Sequence, residues 1–218
     1  MNKLITLDEA ADKVKDGMTI MVGGFLGCGN PHRLIDKLVE RGVKDLTLIC
    51  NDTGFPEVGV GKLVVHKQFR KVIVSHIGTN PETGRQMNEG EIEVVLVPQG
   101  TLAEQVRAGG AGLGGILTPT GVGTVVEQGK DLIEVDGAVY LLEKPLRADV
   151  ALIAGQTVDR YGNIVYRGAT RNFNNIMATA ADVVIVEAEE VVDAGRIDPN
   201  HVVTPGIFVT YIVNGGAS

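Results

Sequence analysis

The chain of 218 residues is long enough to bury a full core, and a single domain over residues 1–218 is expected. A formal net charge of −7, with no clustered Lys/Arg face, excludes a nucleic-acid backbone as partner; the acidity serves solubility. No window approaches the ~18 consecutive apolar residues of a membrane span. MNKLITLDEA sets acids where a secretion signal needs an apolar run, so a soluble, cytoplasmic protein with no membrane partner is expected. Apolar residues at 44%, aromatics at 4% and no Trp predict a core of Val, Ile, Leu and Ala, the usual filling of a parallel sheet.

Thr6 with Glu9 three residues later reads as a capping box that opens a helix over 7–15, with Gly17 at its exit. TIMV at 19–22 reads as a buried strand and runs into the loop GGFLGCGN. Pro31 then opens an amphipathic helix that Gly42 ends. The segments 45–50, 71–75 and 92–97 are short, β-branched and apolar on both faces, as buried parallel strands are. Leu102 to Arg107 is helical in pattern, and the alternation up to about residue 108 predicts a right-handed parallel α/β arrangement. Later the pattern changes. Leu132 to Leu142 reads as a hairpin turning at Asp136-Gly137, and Asp159 to Asn163 as a second hairpin turn. Between and after them, 149–154 and 182–188 read as further buried strands. The expected fold class is therefore α/β, a mostly parallel open sheet flanked by helices with added antiparallel hairpins.

Several positions could carry chemistry. Gly23, Gly24, Gly27 and Gly29 stand between a strand and a helix, where backbone N–H groups can reach an anion at the carboxyl edge of a sheet. A tight turn without a ligand fits the same spacing. The loop fails the G-x-G-x-x-G dinucleotide pattern. A literal match at Gly110, Gly112 and Gly115 follows a helical stretch instead of a strand, and is read as a folded or mobile loop. Asn51 and Gln99 follow strands, where neutral amides could hold a carboxylate or thioester oxygen without titrating; turn former and helix-entry residue are the plain alternatives. His32, His66, His76 and His201 have no metal-ligand spacing with each other or with Cys28 and Cys50, so no metal is expected. The two cysteines follow or end strands and could be neighbours, reactive, or ordinary semi-buried thiols.

Taken in order from Asp16 to Gly206, DGMTIMVGGFLGCGNP, NDTG, SHIGTNPETGR, VPQGTLAEQVRAGGAGLGG, PLRADVALI and VVTPG resemble the alpha subunit of the family I coenzyme A transferases. Within that family the likeness is greatest to the acetate/acetoacetate and butyrate–acetoacetate branch, and NDTG is part of it. The resemblance implies a fold shared with some sugar-phosphate isomerases. It also implies coenzyme A as substrate and covalent intermediate, with no permanently bound cofactor. By the same likeness Gly23, Gly24, Phe25, Leu26, Gly27, Cys28 and Gly29 contact CoA, and Asn51 and Gln99 lie near the acyl or carboxylate group. The nucleophilic glutamate belongs to the family's beta subunit, so no catalytic residue is assigned here, and two alpha with two beta chains are the implied assembly. A phosphosugar isomerase and a non-catalytic CoA-binding module are the alternatives.

Overall fold

The computed structural model describes residues 3–216. Helix α1 (Leu7–Ala11) starts on the expected capping box: the Glu9 N–H donates to Thr6 Oγ1, and the Thr6 N–H to the Glu9 carboxylate. It ends at Asp12 instead of residue 15, because Lys13 and Val14 donate three residues back, to Ala10 and Ala11, and tighten the chain out of the helix. Gly17 is thus no helix exit; at φ +78 it turns the chain into β1 (Thr19–Val22) and donates to the Lys44 carbonyl.

Helix α2 (His32–Arg41) follows the glycine loop and closes at Gly42 in the left-handed conformation, as expected. Then come β2 (Leu46–Cys50), α3 (Gly61–Val65), β3 (Phe69–Val74), α4 (Pro81–Asn88), β4 (Glu93–Leu96) and α5 (Gln99–Ala111). The later half holds β5 (Ile116–Thr118), β6 (Leu132–Val135), β7 (Ala138–Glu143), β8 (Ala148–Asp159), β9 (Ile164–Val165), α6 (Asn174–Met177), β10 (Ala181–Val192) and β11 (Tyr211–Asn214). No helix among the described residues is long and apolar enough to cross a membrane.

The main sheet runs β11-β10-β8-β1-β2-β3-β4 with every neighbouring pair parallel, and β9 folds back antiparallel onto β8 at the expected Asp159–Asn163 turn. Strand β1 lies at its centre. From β1 the chain winds outward through β2, β3 and β4, then crosses to β8 on the other flank. That reversal leaves the carboxyl end of β1 at the topological switch point, where open α/β sheets bind ligands.

Alternate residues of the central strands feed opposite faces. Ile20, Val22, Leu48 and Leu152 join one buried cluster, with Leu34, Leu38 and Leu63 from the helices; Met21, Ile49, Ala151 and Ile153 join the other, with Leu102, Val106 and Met177. Strand β2 is buried at every residue. Strand β4 is not: it is the edge of the sheet and half-exposed, so the expectation of apolar burial on both faces fails there.

A separate three-stranded antiparallel sheet, β5-β7-β6, contains the expected hairpin at Asp136-Gly137, whose φ angles of +52 and +78 define its turn. It is tied to the body through Glu143, 3% exposed, which takes a hydrogen bond from Gln105 Nε2 at 3.0 Å and an ion pair from Lys130 at 2.5 Å. The G-x-G-x-x-G match is largely the end of a helix and no independent loop. Gly110 lies within α5, where a Cβ would stand 2.0 Å from Thr179 Oγ1, and Gly112 caps the helix at φ +69.

Candidate active site

Four successive parallel strands deliver their carboxyl ends to one cleft of ≈ 350 Å³, lined by Phe25, Leu26, Asn51, Asp52, Ser75, His76 and Gln99. The glycine loop supplies the first wall. Phe25 and Cys28 exchange N–H···O bonds at 2.9 and 2.8 Å, and Leu26 and Gly27 turn between them at φ +47 and +86, a tight hairpin hung from β1. Phe25 stays 44% exposed at the mouth.

The loop's glycines have near neighbours within the chain. A Cβ on Gly23 would stand 1.8 Å from Asn174 Oδ1, one on Gly24 1.9 Å from Asn30 Nδ2, and one on Gly29 2.8 Å from the Thr170 carbonyl. The chain's own packing therefore demands glycine at all three, which is a more immediate reason than clearance for a ligand. The N–H groups of Gly23, Gly24, Phe25, Leu26 and Cys28 also have partners within the protein, so the picture of an open cradle of free donors does not hold for these five. Asn172 and Asn174 complete the support, donating to the carbonyls of Cys28 and Gly29.

Asn51 and Gln99 are brought together. Gln99 is the first residue of α5, and its Nε2 donates to Asn51 Oδ1 at 2.6 Å. The helix-entry and ligand-edge readings of Gln99 are thus compatible. Asn51, 1% exposed, also receives Ser75 Oγ at its backbone carbonyl and, at 3.2 Å, at Oδ1. Its Nδ2 donates to Asp52 Oδ2 at 2.6 Å. His76 joins the cleft as an exposed side chain on the bridge between the ends of β2 and β3. The other histidines are elsewhere: His32 opens α2, His66 caps α3, and His201 lies in a single 3₁₀ turn.

Reading the sequence missed Asp52 and Ser75. The signal for Asp52 was the Asp-Thr-Gly of NDTG, an Asx-turn pattern that its Oδ1 fulfils with the Gly54 N–H at 2.7 Å. The cysteines are free thiols of unlike character, and neither is semi-buried. Cys28 is exposed in the loop, while Cys50 is buried with its thiol pKa pushed up to about 12, first by burial and then by the nearby Asp52 charge. Among the described residues no cluster of three or more His, Cys, Asp or Glu side chains is placed to hold a metal ion.

A parallel sheet with its switch point at a glycine loop, and a cleft lined by two amides, Asp52, Ser75 and His76 beside it, define a candidate ligand site on an α/β fold. The family model described as Coenzyme A transferase matches residues 4–215, and the chain belongs to that family. It is 59% identical over 211 residues to the acetate CoA-transferase subunit alpha of Escherichia coli K12, covering 97% of this chain and 96% of that one. It is 53% identical over 212 residues to the acetoacetyl-CoA:acetate/butyrate CoA transferase alpha subunit of Clostridium acetobutylicum, with 97% of each covered. Among solved structures, an acyl-CoA transferase of Escherichia coli O157:H7 in a thioester complex with CoA superposes with a TM-score of 0.86 at 23% identity, which shows a shared fold. The match takes in 97% of this chain and 47% of that one, so this chain spans about half of the larger protein. Family membership weighs against the sugar-phosphate isomerase alternative.

Proposed function

We propose that the chain is the alpha subunit of a heteromeric CoA-transferase that moves CoA between acetoacetyl-CoA, or another short-chain acyl-CoA, and an acid such as acetate or butyrate. The observation that carries this reading is the 59% identity to an acetate CoA-transferase alpha subunit, sustained over nearly the full length of both chains. A glutamate of a beta subunit attacks the thioester carbonyl, CoA leaves as the thiolate, and an acyl-glutamyl anhydride forms. The thiolate then attacks the glutamyl carbonyl, the first acid leaves as its carboxylate, and a glutamyl-CoA thioester remains. A second carboxylate takes the CoA by the reverse steps, which is covalent, ping-pong catalysis.

This chain's part is to bind and orient. The loop Gly23–Gly29 contacts CoA, and Asn51 and Gln99 lie beside the acyl or carboxylate group, where Gln99 offers the N–H it does not spend on the buried Asn51. A donor aimed where negative charge grows stabilises the tetrahedral oxyanion. That the cleft is lined by amides, a serine, a histidine and Asp52 but no glutamate supports a nucleophile brought by the partner. The proposed assembly is two alpha with two beta chains in the cytoplasm, each alpha chain a single domain.

The test is acetoacetyl-CoA consumption in the presence of acetate, by the purified chain alone and after co-expression with its beta partner. Turnover by the pair only is the expected result. Turnover by the chain alone would place the nucleophile on one of its own carboxylates and overturn the division of labour.

A further inference from the structure

We propose that Asp52 is the positioning residue of this cleft: its carboxylate anchors the tip of the glycine loop and sets the direction in which the Asn51 amide faces Gln99. The catalytic consequence rests on the transferase reading above; the anchoring does not.

Asp52 is 2% exposed at the end of β2 and accepts three hydrogen bonds. Its Oδ1 takes the Gly54 N–H at 2.7 Å, which by itself accounts for a local turn. Its Oδ2 is used differently. It takes the Leu26 N–H at 3.0 Å, twenty-six residues away, and Asn51 Nδ2 at 2.6 Å. Leu26 is a branched residue held at φ +47, a left-handed conformation that costs a non-glycine residue ~1–2 kcal/mol, so the loop tip needs a fixed partner to stay there. The partner is the Asp52 carboxylate, at the carboxyl end of the neighbouring strand.

The second bond fixes a polarity. An ionised carboxylate only accepts, so the Asn51 side that faces Asp52 must be the NH2. Its Oδ1 then faces Gln99 and receives Nε2 at 2.6 Å. Gln99 is left with its remaining N–H and its carbonyl for the cleft. If the Asn51 amide turned over, it would meet Gln99 through the Gln99 carbonyl, and donor and acceptor would exchange places at the reacting carbon. Asp52 touches no reacting atom in this scheme; it acts through Leu26, Asn51 and Gln99.

Asp52→Asn is the isosteric test, because an amide can accept on one side only and cannot serve Gly54 and the Leu26–Asn51 pair together. Hydrogen exchange at the Leu26 amide is followed in the chain alone, and steady-state kinetics and Tm in the chain paired with its beta partner. The expected result for D52N is Leu26 exchange faster by about tenfold or more and kcat lower by about tenfold or more, with Tm within a few degrees of the parent. A kcat and KM within about twofold of the parent overturn the catalytic consequence. Leu26 exchange unchanged in D52N overturns the anchor, as does a parallel fall of Tm and kcat without faster Leu26 exchange, which is the mark of a merely structural role. Should D52N not fold, the unaltered chain decides: a Leu26 amide exchanging at the rate of an unstructured peptide overturns the anchor. If the unaltered pair shows no transfer with any short acid, the transferase reading fails, while Leu26 exchange still decides the anchor.

Discussion

Gly24→Ala isolates the cost of crowding the loop. Gly24 is buried at φ +122, and an added Cβ would stand 1.9 Å from Asn30 Nδ2 and 2.9 Å from Asn30 Cγ. Asn30 has nowhere to retreat. Its Nδ2 donates to the Gly23 carbonyl at 2.6 Å, its Oδ1 accepts the Val60 N–H at 3.3 Å, and Gly59 closes its other side. Backbone strain of ~1–3 kcal/mol and two compromised hydrogen bonds at ~1 kcal/mol each sum to about 3–5 kcal/mol. For a chain of this size that lowers Tm by roughly 10 °C. Gly84→Ala is the control: it lies in α4 with nothing within 4 Å of a Cβ, and a stabilisation of ~0.5–1 kcal/mol is expected. Urea unfolding of the two variants and the parent gives the comparison directly. A Gly24→Ala chain within about 1 kcal/mol of the parent would refute the claim that internal packing imposes this glycine.

Gln99→Ala leaves assembly and Tm near those of the parent but lowers transfer by the co-expressed pair, read as acetoacetyl-CoA consumption; a loss of stability alone would return Gln99 to a helix-entry role. Lys130→Ala strips the ion-pair partner from nearly buried Glu143 and destabilises by about 2–3 kcal/mol, whereas Lys130→Met with Glu143→Gln loses less; urea midpoints of both decide. Hydrogen bonds from Arg85 and then Gln86 hold the Glu82 carboxyl down at about 2. A depressed carboxyl contributes stability above its ordinary pKa of 4.5 and loses it as the pH falls toward 2, so Arg85→Ala makes the acid limb of the stability curve shallower in that window. On the isolated native chain one thiol, that of exposed Cys28, reacts with a disulfide reagent at mildly alkaline pH, and both react after denaturation; two fast native thiols would contradict the burial of Cys50.

Signals confined to a few neighbouring residues were legible. The Thr6–Glu9 capping box, the Asp136-Gly137 turn and the TIMV strand before its glycine loop all depend on local chemistry, and each stands where the sequence places it. Convergence of Asn51 and Gln99 followed from their both sitting just beyond parallel strands. Length was less legible. Strands β8 and β10 run to twelve residues each because they go on pairing with one another beyond the end of β1, and no apolar run marks that extension. Helices α3 and α4 were hidden by their shortness and composition, although the Asn80 cap and Pro81 start of α4 stood in plain view. What could not be read at all was long-range. Gly23 must be glycine because Asn174, from the other half of the chain, packs on it, and Asp52 looks like a turn residue until Leu26 is seen beside it.

The β11 edge bears on how such a chain can be joined to another. Residues 3–5 lie alongside Ile212: the Ile212 N–H donates to the Lys3 carbonyl at 2.8 Å, and the Ile5 N–H to the Ile212 carbonyl at 3.0 Å. Polypeptide entering at residue 3 and leaving past residue 214 therefore passes through one corner of the molecule. That corner is three strand spacings from β1, about 14 Å across the sheet. Past Asn214 the chain turns back toward the sheet, where Gly215 shares a cavity with Gly29, Asn30 and His32, and Arg33 donates to the Gly215 carbonyl, so a tether attached there leaves beside the glycine loop. Closing that corner with a short linker and reopening the chain at Asp136-Gly137 would give a permuted protein with every strand of the main sheet uncut.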